Sequence, residues 1–213
     1  NVTIQISGTE VTSYSKATYT ITGTAKGNGT VAGQSVTTNQ AVNIGETEIA
    51  NNGTFTITAD GKWTVTAYAY DKSGRKSAGS NLVFTRDTVA PTISSFTSTS
   101  TRATKVSVSV SASDAFSGLA TSGRYQYYRG STSVSTGTTN TYQYTGLSAS
   151  TSYTLKVVVK DKAGNTSEKT LSLTTIANVY NFAYIGSSQT FKVPITGTYK
   201  LEVWGAAGGR YGG

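Results

Sequence analysis

Ten carboxylates, eighteen lysines and arginines, and not one histidine or cysteine set narrow limits on the chemistry open to this 213-residue chain. Without imidazole or thiol, the common nucleophile and base pairs and the nitrogen and sulfur ligand sets of zinc are missing. A glycosidase needs two carboxyl groups facing each other across about 5 to 10 Å. Glu46 and Glu48 stand two residues apart, so they share one face of a strand or loop as like-charged neighbours on an exposed edge, and catalysis is not expected. Asp71, Asp87, Asp114 and Asp161 fall in turns or at a joint between modules, where the hard oxygen ligands that calcium takes could converge. They show no Asp-x-Asp spacing, and an Asp ahead of Lys-x-Gly ordinarily accepts amides of its own turn. The expectation is therefore no metal and no cofactor. A lysine–asparagine isopeptide cross-link has its residue types present, but no spacing pairs them.

The richest set for recognition is aromatic. Tyr125, Tyr127, Tyr128, Tyr142 and Tyr144, with Arg124 and Arg129 nearby, are expected to offer a flat surface for sugar stacking or protein contact. Tyr125, Tyr127, Tyr128, Arg129, Tyr142 and Tyr144 are taken as the candidate binding residues, against the alternative that tyrosines in strands pack across the sheet. The net charge of +8 is spread unevenly: +1 over residues 1–87, +5 over 88–175 and +2 over 176–213. A basic second module attracts an anionic polymer, although its charges are scattered singly rather than run together as a nucleic-acid patch would be. The expected partner is a cell-surface glycan or protein, an anionic polymer included, with no specific nucleic acid and no membrane insertion; the oligomeric state is unassigned. No apolar stretch approaches the ~20 residues that span a bilayer.

The elements that must position these groups announce themselves by repetition. The stretch from Trp63 through Asp71-Lys-Ser-Gly-Arg75 recurs 90 residues later, from Tyr153 through Asp161-Lys-Ala-Gly-Asn165. Each copy alternates apolar and polar residues as a strand does and ends in an Asp-Lys-x-Gly turn, and the period is that of a β-sandwich. Composition agrees, with 66 Ser and Thr, 23 Gly and 14 Tyr. Absence of cysteine leaves cohesion to the cores, and the Ser/Thr-rich composition is common in surface proteins of Gram-positive bacteria and their phages. Three segments are expected: 1–88, 89–176 and 177–213. In the first, Val2 to Ile6 and Tyr19 to Thr22 read as strands around a polar break at Thr12 to Lys16. Asn51-Asn-Gly53 and Asp60-Gly61 read as turns of successive hairpins. Trp63, Val65, Ala67 and Ala69 are assigned to the core. Pro91 biases Ala90 to extended geometry, which makes a short, semi-rigid joint. In the second segment Val106, Val108 and Val110 alternate with serines, and the strands at Arg124 to Tyr128 and Asn140 to Tyr144 flank a loop over 131–139. The termini, Asn1 without an initiator Met and a glycine-rich run to Gly213, read as cut from something longer.

The run Gly146-Leu147 to Val157, continued by Asp161-Lys-Ala-Gly-Asn165-Thr-Ser167, resembles the fibronectin type III family, and the resemblance makes Tyr153 its corner tyrosine. The first segment is similar to a bacterial Ig-like domain, with Trp63 standing where Tyr153 stands. Phe191 to Tyr199 and on to Trp204-Gly-Ala-Ala-Gly-Gly209 resembles the start of a glycine-rich domain of bacterial and phage surface proteins, in which a strand leads up to Trp-Gly-Ala. Gly205 to Gly209 lacks the following Lys-Ser/Thr and helix of a phosphate-binding loop. These resemblances imply an all-β chain: two tandem Ig-like/fibronectin type III-like antiparallel β-sandwiches plus a short β/glycine-rich C-terminal segment. They imply a non-catalytic extracellular module that spaces or displays a binding region on a bacterial cell surface or phage virion. The alternative is accessory carbohydrate-binding or spacer modules of a larger secreted polysaccharide-degrading enzyme.

Overall fold

Alternating threonine, valine and tyrosine suit a pleated surface with one dry and one wet face, and strands are the only regular structure among the described residues. A computed structural model describes residues 1–8 and 14–203, among which there is no helix. Strands β1 (Val2–Ile6), β2 (Tyr14–Ala25), β3 (Gly29–Val31), β4 (Gln34–Val36), β5 (Ala41–Ile49), β6 (Gly53–Ile57), β7 (Gly61–Asp71) and β8 (Ser80–Arg86) form two antiparallel sheets, in the orders β1-β6-β3-β4 and β5-β2-β7-β8. Strands β9 (Thr92–Thr101), β10 (Val106–Ser113), β11 (Tyr125–Arg129), β12 (Thr132–Gly137), β13 (Thr141–Tyr144), β14 (Ser152–Lys160) and β15 (Thr166–Thr174) form two more, β13-β10-β9 and β12-β11-β14-β15.

Each pair of sheets encloses its own apolar cluster, and no residue belongs to both. The first gathers Ile4, Ile21, Val31, Ile57, Trp63 and Val65; the second gathers Val106, Val108, Val110, Leu155, Val157 and Val159. Trp63 is fully buried at the centre of the first. Its indole is clamped where a side chain would not fit: a Cβ on Gly23 would lie 2.6 Å, and one on Gly61 2.7 Å, from its ring carbons. The indole Nε1–H donates to the Ala59 carbonyl, four residues upstream, at 3.3 Å. The Tyr153 hydroxyl likewise accepts the Ser148 amide, five residues upstream, at 2.9 Å. Both aromatics therefore tie the start of a repeated strand to the turn before it, as the corner tyrosine does.

Four expectations are corrected. Asn52 does turn the chain with φ of 61°, but β5 and β6 lie in different sheets, as do β6 and β7. Among the described residues of this half, only β3–β4 and β7–β8 are hairpins of consecutive strands, because a two-layer core closes only when the chain passes from layer to layer. The stretch 131–139 is not a loop: Thr132–Gly137 alternates well enough to pair with β11 as an edge strand, and Val134 packs on the core. The polar break does not reach Lys16, since β2 begins at Tyr14 and pairs there with Asp71. Finally, no strand occurs among residues 175–203. There Phe191 is the hub of aromatic contacts with Tyr180, Phe182 and Tyr199, at centroid distances of 4.7, 5.5 and 6.1 Å, and no neighbouring strand offers the partner a strand needs. The Trp204 to Gly209 motif lies outside the described residues.

Candidate functional site at the joint of the two sandwiches

The two copies of the Asp-Lys-x-Gly turn differ at their last residue, and that difference builds the joint. In both, the Asp amide donates to the carbonyl four residues on, at 3.1 Å, and the glycine takes positive φ, 83° at Gly74 and 99° at Gly164. Asp71 and Asp161 accept amides of their own turns, as the sequence implies. In the first copy Arg75 folds back as a solvent-exposed ion pair with Asp71 at 2.7 Å, and hydrogen bonds from Ser73 and Arg75 hold the Asp71 carboxyl well below the usual range. In the second copy Asn165 is neutral and short, and Asp161 is fully buried. The Asn165 amide nitrogen donates to Asp161 at 2.7 Å and to the carbonyls of Asp87 and Val89 at 3.1 and 3.2 Å.

The contacts continue along β15 at a period of two. Ser167 donates to the Pro91 carbonyl, and Lys169 donates to the carbonyls of Ile93 and Ser94 at 3.4 and 3.1 Å. From the other side, Arg86 and Thr88 both donate to Asp60 of the first sandwich, Thr88 at 2.7 Å and Arg86 as a partly buried ion pair. The connector that follows β8 has thus sent residue 88 to the first sandwich, beside the Arg86 end of that strand, and residues 87 and 89 to the second. Asp87 is buried, and its second oxygen accepts the Ser117 amide at 3.1 Å. Asp114 in turn accepts the amides of Phe116 and Gly118 at 3.0 and 2.7 Å, which fixes the β10–β11 loop against the connector.

This arrangement brings three of the four candidate aspartates together: oxygens of Asp87, Asp114 and Asp161 lie within 4.8 Å of one another, while Asp71 stands apart. The oxygen-only donor set is of the kind calcium takes. Each carboxylate is nevertheless already engaged by amide donors, and three acids alone do not define a metal site. The amines of Lys16, Lys76 and Lys156 go to carboxylates and that of Lys169 to carbonyls, not to asparagine side chains.

The tyrosine surface is not formed as expected. Tyr125, Tyr127 and Tyr144 are buried in the second core and Tyr142 packs against it. Residues two apart share a face, and on both strands that face looks inward; Tyr125 and Tyr127 sit opposite Val159 and Val157. Their rings stack, Tyr127 on Tyr142 at 5.1 Å and Tyr142 edge-on to Tyr144 at 4.8 Å. The Tyr127 and Tyr144 hydroxyls donate to the carbonyls of Thr139 and Tyr128, both at 3.0 Å. Only Tyr128, with the Lys156 ammonium 4.7 Å from its ring centre, and Arg129 look outward. Burial pushes the Tyr127 phenol up to about 12 and raises that of Tyr144 as well. A raised folded-state value means that stability is present below pH 10, where unfolded tyrosine is still neutral, and falls as pH rises toward about 12. Tyrosinate absorbance is expected to show two phenols ionising only as the second sandwich unfolds.

Glu46 and Glu48 are each engaged by a different lysine. Glu48 pairs with Lys16 at 3.2 Å; Glu46 accepts Lys76 and Thr18, each at 2.7 Å, and Tyr70. Those bonds, Lys76 first, hold the Glu46 carboxyl at about 2, below its ordinary 4.5. A depressed value gives stability that is present above pH 4.5 and lost as pH falls toward 2. Glu46→Gln is expected to flatten that part of the acid-unfolding profile, read by circular dichroism, and to leave the neutral-pH fold intact.

No protein-family model matches the chain. It is 38% identical over 134 residues to exoglucanase B of Cellulomonas fimi, a match covering 58% of this chain and 12% of that protein. It is 35% identical over 135 residues to chitinase A1 of Niallia circulans, covering 59% of this chain and 19% of that one. The chain thus spans less than a fifth of either curated relative. Among solved structures it is similar to the fibronectin(III)-like modules of Clostridium thermocellum CbhA, with TM-score 0.40, 15% identity and coverage of 86% of this chain and 90% of that one. A two-domain fibronectin type III segment of chicken tenascin gives TM-score 0.36 and 14% identity, covering 81% and 92%.

Sequence reasoning missed Asn165, Ser167, Lys169 and Asp60 as joint residues. A signal was present in the repeat itself: Arg75 against Asn165 exchanges a solvated charge for a neutral amide able to serve buried carbonyls.

Proposed function

We propose that this chain is a non-catalytic, extracellular spacer and accessory segment of a larger secreted polysaccharide-degrading enzyme, holding a catalytic domain at a set distance and angle from its substrate. The observation that carries the reading is the stretch of 134 residues at 38% identity within an exoglucanase, joined by a similar stretch within a chitinase. The doubly tied connector supports it, because a spacer transmits orientation only when its own joint resists bending.

The glycine-rich motif at residues 204–209 favours a second reading, display on a bacterial cell surface or phage virion. The reading frame that contains this chain separates the two. A catalytic domain with an acid pair in that frame is the expected result; a wall-sorting signal, or neighbouring tail genes, would overturn the enzyme reading. Incubated alone with cellulose or chitin, the chain is expected to release no reducing ends.

A further inference from the structure

The pinned β10–β11 loop does more than brace the connector. It stands over the outer face of the β5-β2-β7-β8 sheet and closes one side of an open groove of about 390 Å³. The groove is lined by Thr22, Thr24, Thr64 and Thr85, by Lys26 and Lys62, and by Ala115 and Phe116 of the loop. Register places the hydroxyls and one amine side by side, Thr22 opposite Thr64, and Thr24, Lys62 and Thr85 in one row across three strands. Phe116 is half-buried, and the loop that carries it is fixed by the amide bonds to Asp114 and Asp87. Neither Lys26 nor Lys62 is in an ion pair among the described residues, although both are exposed.

We propose that this groove binds a segment of an acidic polysaccharide, a partner that deepens the accessory reading and in that respect rests on it. An aromatic wall offers a face for a sugar ring. Threonine hydroxyls can both donate to and accept from sugar hydroxyls. The two ammonium groups, in no ion pair among the described residues, complement carboxylates on the polymer. The volume suits one or two sugar rings, and the open ends let a longer chain pass through. Because one wall comes from each sandwich, the groove keeps its shape only while the connector is held.

Titration calorimetry of the purified chain with polygalacturonate and with alginate oligosaccharides, and with neutral cello- and chito-oligosaccharides as comparison, tests this. The acidic polymers are expected to bind, and weakening with added salt is expected. Phe116→Ala is expected to weaken binding about tenfold, roughly 1.4 kcal/mol. The double variant Lys26→Ala with Lys62→Ala is expected to abolish the salt dependence. These side chains lie outside both cores, so an unchanged melting temperature verifies that each variant is folded. No binding to either acidic polymer, binding indifferent to all three substitutions, or equal binding of neutral sugars would overturn the proposal. Such a failure alongside a catalytic domain in the reading frame leaves the accessory role standing. Acidic-glycan binding alongside a wall-sorting signal retains the groove and removes the enzyme reading.

Discussion

Replacing Trp63 with alanine is expected to unfold the first sandwich and leave the second folded. The indole is fully buried among Ile4, Ile21, Val31 and Ile57, and removing a large buried aromatic costs about 3 to 5 kcal/mol. Small domains hold only about 5 to 15 kcal/mol in total, so the loss is a large part of what the first core supplies. Little repacking can offset it. Gly23 and Gly61 flank the ring because no side chain fits beside it, and once the ring is gone neither has atoms to move into the space. The second apolar cluster shares no residue with the first, so its transition should stay within a few degrees of its original position in scanning calorimetry. A common shift of the whole profile would mean that the two cores fold as one.

The second large effect is expected at Asp60. Its carboxylate receives Arg86 and Thr88, and Arg86 is the last residue of β8, paired with Gly61 at the start of β7. Asp60→Ala leaves the guanidinium largely buried without its partner, and breaking a buried pair from one side costs about 3 to 5 kcal/mol. Replacing both members with apolar residues of similar shape should cost much less, since the net worth of such a pair is small once both desolvation penalties are removed. A double-mutant cycle of Asp60→Ala and Arg86→Leu in urea unfolding is therefore expected to show strong positive coupling. Additive losses would place the stabilising contact of the Asp60 carboxylate elsewhere, for example in the bond it accepts from Thr88.

How much of this was legible in the chain depends on the range of each interaction. Val106, Val108 and Val110 declare a half-buried strand by alternation alone, and Trp63 and Val65 declare the core side of β7, because burial on a sheet follows a period of two. The Asp71 and Asp161 turns were equally legible, being closed within five residues. Pairing was less so. Alternation puts Tyr125 and Tyr127 on one face without saying which face is wet, and the answer came from Val157 and Val159 on a strand some thirty residues away. The Asn52 turn reads as a hairpin locally, yet the chain leaves it for the other sheet, a decision taken by the core and not by the turn. The joint was the least legible part. Asp87, Asp114 and Asp161 come from a connector, a loop and a turn, and Asn165 lies 78 residues from the carbonyl of Asp87 that it serves. No spacing rule reaches across that distance.

The claim on which the spacer role and the groove both depend is that the connector is held from two sides. Because the chain has no cysteine, Ser35→Cys on β4 and Ser131→Cys beside β12 give two unique, exposed attachment points, one on each sandwich. Pulsed electron–electron distance measurement between spin labels at these positions is expected to give one narrow distribution, which broadens when Asn165→Ala and Ser167→Ala remove the β15 side of the grip. A broad distribution in the unmodified chain, or a narrow one untouched by those two substitutions, would contradict a joint fixed by these contacts.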